Sequence, residues 1–346
     1  MSPITGNHGH PTLVSTTGAD RLVRGLERLE RLLRPTPILQ LEHEHMNLFA
    51  KLEFCNPAGS VKDKPAFWIL KSAIDRGEID AHSTVVESSS GNFANALAFF
   101  CRALGIRFIP VIDPMITRPN ESSLRWSCDT VVKVDELDDA QGYLKTRIKK
   151  IHELQSSTLG TYWTNQYANS DAVEAHYRFT GHDICGAFTR LDYVFVGVST
   201  SGTIAGISRR VREKFPRAEI IAVDAEGSAI FGGRAGKRHI PGIGATVVPT
   251  LLKEAHIDDV VLVSELDTVA GCRQLLSRHG LFAGGSSGSA YSAINQTIGQ
   301  SRTGTKPNVL FLCSDRGTSY LDSVFSDEWV TKHLLGAEPL IRARVG

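Results

Sequence analysis

The sequence predicts an α/β protein with parallel-rich sheets flanked by helices. Three observations carry that expectation. Short runs rich in valine, isoleucine and phenylalanine recur along the chain, such as YVFVGV at 193–198 and NVLFLC at 308–313. Helical stretches alternate with them, and continuous apolar character is what strands covered on both faces require. Ser/Gly-rich segments follow several of these runs, where an open parallel sheet places its ligand-binding loops.

The elements follow in chain order. The first dozen residues are polar and rich in glycine and histidine, and read as a flexible arm in which His8 and His10 are solvated. Leu22, Leu26, Leu29 and Leu33 fall at helical spacing between residues 15 and 34, with Thr16 or Thr17 as N-cap and Pro35 and Pro37 ending the helix. His43-Glu44-His45 lies in an expected turn and lacks a third metal ligand. A strand at 48–54 precedes a helix at 61–76 closed by Gly77. Next come a strand at 84–86 and a helix at 92–104 closed by Gly105. Strands at 106–112 and 130–134 bracket another helix, and a further helix lies around 139–155. The pattern resumes with a strand at 193–198, a helix from Thr203, and strands at 219–224, 260–263 and 308–313. The C-terminal IRARVG reads as a solvated tail. No repeat or low-complexity linker interrupts the chain. Two closely packed units are expected, a larger one from 1–52 and 166–346 and a smaller one from 53–165.

Composition narrows the function. The 346 residues are 42% apolar and 22% charged, enough for a sizeable core. Lysine plus arginine (38) balances aspartate plus glutamate (37), so no bulk field favours nucleic acid or an anionic membrane. Cys55, Cys101, Cys128, Cys185, Cys272 and Cys313 include no CxxC pair and suit free thiols in a reducing, cytoplasmic setting without structural zinc. The N-terminus lacks the pattern of a signal peptide, and no apolar run is long enough to span a bilayer.

Three small-residue segments are candidate ligand loops: Glu87–Asn92 (ESSSGN), Ser199–Thr203 (STSGT) and Gly284–Gly288 (GGSSG). The second joins a strand to a helix, so its amides and the helix dipole suit a phosphate dianion. It has neither a Walker lysine nor a dinucleotide fingerprint, which disfavours ATP and NAD. Lys62, in NPAGSVKDK, opens a helix, where a cation is poorly placed against the dipole. A Schiff base to an aldehyde cofactor would account for it. Glu87 is expected to cap or pack beside its loop, and Cys313 to be a buried strand residue.

These blocks resemble those of the cysteine synthase family of fold-type-II pyridoxal-phosphate enzymes (tryptophan synthase β-like). NPAGSVKDK, SSSGN, GVSTSGT, PGIG, GGSSGSA and LCSDRG occur in the family's order between about residues 35 and 321. The resemblance implies pyridoxal 5'-phosphate as cofactor, Lys62 as its Schiff-base lysine and as acid/base at the substrate Cα, and Asn92 on the phenolic oxygen. It implies that Ser89, Ser90 and the backbone at Gly91 hold the substrate carboxylate, and that Ser199, Thr200, Ser201, Gly202 and Thr203 cradle the cofactor phosphate. Ser314 is expected to face the pyridine nitrogen; a register shift of one would put Asp315 there. The implied reaction is β-replacement on an O-activated serine, and the implied assembly is a homodimer.

Several segments depart from plain cysteine synthases. Phe93 follows the asparagine, the phosphate loop has one glycine, and GYLKTR and YWTNQYAN differ from the sulfhydrylase pattern. These look more like a siderophore-type branch that joins O-phospho-L-serine to L-glutamate on the way to 2,3-diaminopropionate. A phosphorylated substrate and an acidic amine call for arginine, so Arg147 is the candidate for the substrate phosphate, with Tyr167 as its hydrogen-bond partner. The run Arg234, Lys237, Arg238 and His239 is either a solvated loop or a guide for an acidic second substrate. Two alternatives stay open: a cysteine or cyanoalanine synthase, and a non-catalytic regulatory relative.

Overall fold

The computed structural model describes residues 18–138, 142–298 and 305–335. His8, His10, the start of the first helix at Ser15, Asp139 and the tail at 341–346 lie outside the described residues. In chain order the elements are α1 (Gly18–Glu30), β1 (Ile38–Leu41), β2 (Asn47–Leu52), α2 (Asp63–Asp75), β3 (Thr84–Ser88), α3 (Asn92–Leu104), β4 (Arg107–Ile112), α4 (Arg118–Ser127) and β5 (Val132–Lys133). They continue with α5 (Leu144–Ser157), β6 (Thr161–Trp163), α6 (Asp171–Ala175), a π-turn (His176–Gly181), α7 (His182–Ala187), β7 (Tyr193–Gly197), α8 (Gly202–Lys214) and β8 (Glu219–Ala225). The last are β9 (Asp259–Val263), α9 (Glu265–His279), α10 (Gly285–Thr297), β10 (Asn308–Cys313) and α11 (Asp327–Val330).

These strands form two sheets. A six-stranded sheet has the order β1-β2-β10-β7-β8-β9, and a four-stranded sheet has the order β5-β4-β3-β6. Among the described strands every pairing is parallel except that of β1 with β2. β7 and β10 are buried almost throughout, which explains their near-continuous apolar sequences, and β3 is buried along its whole length although it carries Thr84, Glu87 and Ser88. All four strands of the smaller sheet come from residues 84–163.

The helices show which expectations local pattern alone could not meet. α1 was grouped with the larger unit by its place in the chain. Instead, Leu22, Leu26 and Leu29 of α1, with Leu33 beyond its end, pack in one cluster with Phe67 and Leu70 of α2 and Leu97, Phe100 and Leu104 of α3. Each such leucine contributes about 1.5–3 kcal/mol by burial, which decides where the helix docks. β1, β6 and the helical segment from Asp171 to Ala187 were not anticipated. The two strands have four and three residues, too few to show a period. The third Ser/Gly segment is the first turn of α10 rather than a loop. Its glycine lets α10 lie against α9: a Cβ on Gly288 would come within 2.3 Å of Cys272 Sγ and 2.6 Å of the Thr268 carbonyl.

Candidate active site

The turns that follow β2, β3, β7 and β10 converge. Lys62 sits immediately before α2 with φ −81° and ψ −9°. The preceding turn is built to hold it there. Gly59 has φ +93°, a conformation that favours glycine. Asn56 Nδ2 donates to the carbonyls of Glu53 (2.8 Å) and Ser60 (3.0 Å). The buried Asp63 carboxylate accepts from the amides of Ala58 and Ser60. Burial raises Asp63 to about 7 despite those amides.

Lys62 opens onto a cavity that is also lined by Phe93, Gln166, Ala172, His176, Thr200, Gly202 and Thr203. Burial brings its amine down to about 8, with Asp315 opposing the shift. Among the described residues its Nζ makes no hydrogen bond or ion pair. An amine so placed is a better nucleophile near neutral pH than a solvated lysine, because more of it carries a free lone pair.

Across the cavity lies the loop between β7 and α8. Ser201 is held at φ +68°, rare for a residue with a Cβ, and its buried hydroxyl has no partner. Ser199 Oγ donates to the Gly244 carbonyl at 3.1 Å. Thr203 Oγ1 is hydrogen-bonded to His176 Nε2 at 3.1 Å, and His176 Nδ1 to Thr180 Oγ1 at 3.0 Å. Burial and then Lys62 lower His176 to about 3, so its ring is neutral. No backbone carbonyl or side chain among the described residues accepts from the amides of Thr200, Ser201, Gly202 or Thr203. Unpaired donors and a free hydroxyl at a helix N-terminus form an anion cradle.

The loop after β3 supplies a third side. Ser89 is buried, and the half-buried Asn92 opens α3, its Nδ2 donating to Asp315 Oδ2 at 2.7 Å. Arg147 reaches the same loop from α5. Its Nη1 donates to Ser90 Oγ at 3.1 Å and lies 3.2 Å from Asp113 Oδ2, while its buried Nε has no acceptor. Ser90 Oγ donates to Asp113 Oδ2 at 3.1 Å and accepts from the Asp113 amide. Tyr167 is half-buried nearby. Burial raises its hydroxyl, and Arg147 and Arg238 oppose that rise. Glu87 is fully buried, accepting from Thr164 Oγ1 and the Gln166 amide, and burial raises its carboxyl.

The remaining sequence candidates separate. Arg234 and Lys237 are exposed, and His239 Nδ1 lies 2.9 Å from Glu265 Oε2. Arg238 turns inward, its Nη1 donating to the Ile243 carbonyl at 2.8 Å. The Ser314 amide donates to Ser287 Oγ at 3.2 Å and its side chain is half-buried. Cys313 is fully buried in β10.

Sequence reasoning missed a buried ion network beneath the Lys62 turn. Lys64 Nζ lies 2.9 Å from Glu53 Oε1 and 3.2 Å from Asp183 Oδ2, and Lys51 Nζ lies 3.5 and 3.3 Å from the same two atoms. Burial opposes ionisation of Glu53, but Lys64 and Lys51, helped by Thr36, hold it down at about 2. The available signal was Lys51, a charged residue flanked by Leu48, Phe49, Ala50 and Leu52 in β2.

A phosphate-bearing aldehyde fits these residues. The cradle at 200–203 has free donors, the amine of Lys62 has no partner, and both line one cavity. This is the architecture of a fold-type-II pyridoxal-phosphate enzyme of the β-replacement kind. The chain matches the pyridoxal-phosphate dependent enzyme family over residues 29–315 and belongs to it, with pyridoxal phosphate as its cofactor. It is similar to the N-(2-amino-2-carboxyethyl)-L-glutamate synthases of Ralstonia nicotianae and Cupriavidus metallidurans. The identities are 44% and 42% over 303 residues, covering 86% of this chain and 89% of each relative. Among solved structures, the O-acetylserine-dependent cystathionine β-synthase of Helicobacter pylori superposes with a TM-score of 0.78 at 27% identity, covering 85% of this chain and 97% of that one. O-ureido-L-serine synthase matches with a TM-score of 0.78 at 25% identity, covering 87% of this chain and 97% of that one. Among the described residues no helix is long and apolar enough to cross a membrane.

Proposed function

We propose that the enzyme replaces the phosphate of O-phospho-L-serine with the amine of L-glutamate, giving N-(2-amino-2-carboxyethyl)-L-glutamate and inorganic phosphate. The observation that carries the choice of substrate is Arg147: a guanidinium beside the 88–92 loop, paired to Asp113 on one edge and with its Nε unpaired. A partly desolvated guanidinium with an unused donor suits a phosphate ester better than an acetyl ester, which brings no charge. The names of the two bacterial relatives support the same product.

Lys62 and the 199–203 loop would hold the cofactor, which would supply an aldehyde for the substrate amine and a ring to accept electrons from Cα. The chain's own groups do the rest. Amides and hydroxyls of 199–203 would anchor the phosphate end, and Asn92 Nδ2 would donate to the phenolic oxygen. Ser89, Ser90 and the Gly91 backbone hold the substrate carboxylate. Lys62, freed when the substrate amine takes its place, removes the Cα proton and later returns one there. Arg147 and Tyr167 hold the leaving phosphate as the Cβ–O bond breaks, and the glutamate amine then forms the Cβ–N bond. The same reading expects a homodimer in the cytoplasm, its product destined for 2,3-diaminopropionate in siderophore assembly. Incubation with O-phosphoserine or O-acetylserine, each with glutamate or sulfide, separates the readings by product mass. Phosphoserine with glutamate is expected to turn over best; turnover of O-acetylserine with sulfide alone would mark a cysteine synthase.

A further inference from the structure

Asp315 carries the strongest unexplained demand in the site. It is 5% exposed, and its carboxylate is used unevenly. Oδ2 accepts from Asn92 Nδ2 at 2.7 Å and from the Tyr320 hydroxyl at 2.9 Å. Oδ1 is buried with no donor among the described residues. An uncompensated carboxylate oxygen inside a protein is costly, so its retention calls for a donor that arrives with a ligand. Its position is fixed from two sides. Ser60 and Asp315 form a β-bridge, and Val61 donates to the Ser314 carbonyl at 2.8 Å, stitching this segment to the Lys62 turn. Gly284 leaves room for it, since a Cβ there would lie 2.1 Å from Asp315 Oδ1.

Chemistry locates the missing donor. In a pyridoxal ring one carbon separates the phenolic carbon from the nitrogen, so the two functions share an edge. Asn92 has two N–H donors. One is given to Asp315; on the reading above, the other serves the phenolic oxygen. A group one hydrogen bond from Asn92 is therefore within reach of the nitrogen's edge. We propose that Asp315, rather than Ser314, faces the ring nitrogen and keeps a proton on it through a charge-assisted hydrogen bond, with Tyr320 and Asn92 positioning the carboxylate. Ser314 is engaged as backbone, through its amide to Ser287 Oγ and its carbonyl to Val61, and among the described residues no hydrogen bond draws its hydroxyl inward. A carboxylate at that nitrogen makes the ring a stronger electron sink than a neutral hydroxyl would.

The test is nitrogen NMR of holoenzyme loaded with cofactor labelled with 15N at the ring position. At neutral pH the wild-type protein is expected to show the shift and one-bond N–H coupling of a protonated ring. Asp315→Asn and Asp315→Ser should lose both, while Ser314→Ala retains them. An unprotonated ring in the wild type overturns the proposal, as does loss of the signature in Ser314→Ala with retention in Asp315→Asn. Lysine attachment, read separately from the visible absorbance of each loaded protein, distinguishes failure of this assignment from failure of the Asn92 and Lys62 assignments it rests on.

Discussion

At the scale of single residues, the site depends on placing charged groups where water cannot compensate them. Lys62 is the clearest case. With its amine at about 8, the neutral fraction rises about tenfold per pH unit below that value and saturates above it. Cofactor capture by the apo-protein, followed as visible absorbance after mixing, is therefore expected to accelerate from pH 6 to about 8 and then level off. A capture rate still rising steeply at the ordinary lysine value of 10.5 would contradict a desolvated amine. Arg147 makes a different prediction. Arg147→Ala removes charge-assisted hydrogen bonds of about 1.5–3 kcal/mol, so KM for O-phosphoserine should rise roughly 10- to 100-fold. KM for O-acetylserine should change far less; steady-state kinetics with both esters check the difference.

At the scale of elements, close approach of α8 to the π-turn before α7 brings the 199–203 loop to the cavity. Gly206 permits it: a Cβ there would meet the Val173 carbonyl at 2.3 Å and His176 Cβ at 2.6 Å. Gly206→Ala should cost about 1–3 kcal/mol and lower the melting temperature, because backbone on the facing segment must yield. An unchanged melting curve would mean the two segments are not rigidly packed. The same elements show what sequence could reveal. The strand at Asn308–Cys313 and the helix at Asn92–Leu104 were legible with their observed bounds because apolar pattern and a terminal glycine mark them locally. β1 and β6 were not, since four and three residues are too few to show a period, and the local sequence does not distinguish a π-turn from an ordinary helical turn. The loop residues Ser199–Thr203 and Asn92 were legible as motif, and Arg147 only through the segment that carries it. Asp113, His176 and the open oxygen of Asp315 were hidden, because their meaning lies in partners distant along the chain.

At the scale of the whole molecule, the Lys51–Glu53–Lys64–Asp183 network joins β2, α2 and α7 below the Lys62 turn. Asp183 is 119 residues from Lys64, so the network forms only when the larger sheet and the lysine-bearing helix assemble together. Glu53→Ala leaves two buried ammonium groups with Asp183 alone and should destabilise the protein by roughly 3–5 kcal/mol in urea unfolding. The pH dependence has a definite sign. Glu53 is lowered from 4.5 to about 2, so its contribution is present above the ordinary value and is lost as pH falls toward 2. Asp63 acts oppositely: raised from 3.8 to about 7, it keeps a proton that the unfolded chain releases, so stability falls as pH rises across that window. Unfolding of Glu53→Ala measured at pH 6 and pH 3 should show the wild-type advantage shrinking at the lower value.

One amine, that of Lys62, is proposed to carry the cofactor. Borohydride reduction of the holoenzyme, followed by proteolysis and mass mapping, checks this. The reduced cofactor is predicted on the peptide containing Lys62 and on no other, and to be absent from Lys62→Ala. Recovery of the adduct on Lys51, Lys64 or any other lysine, or of no adduct from the coloured protein, would contradict it.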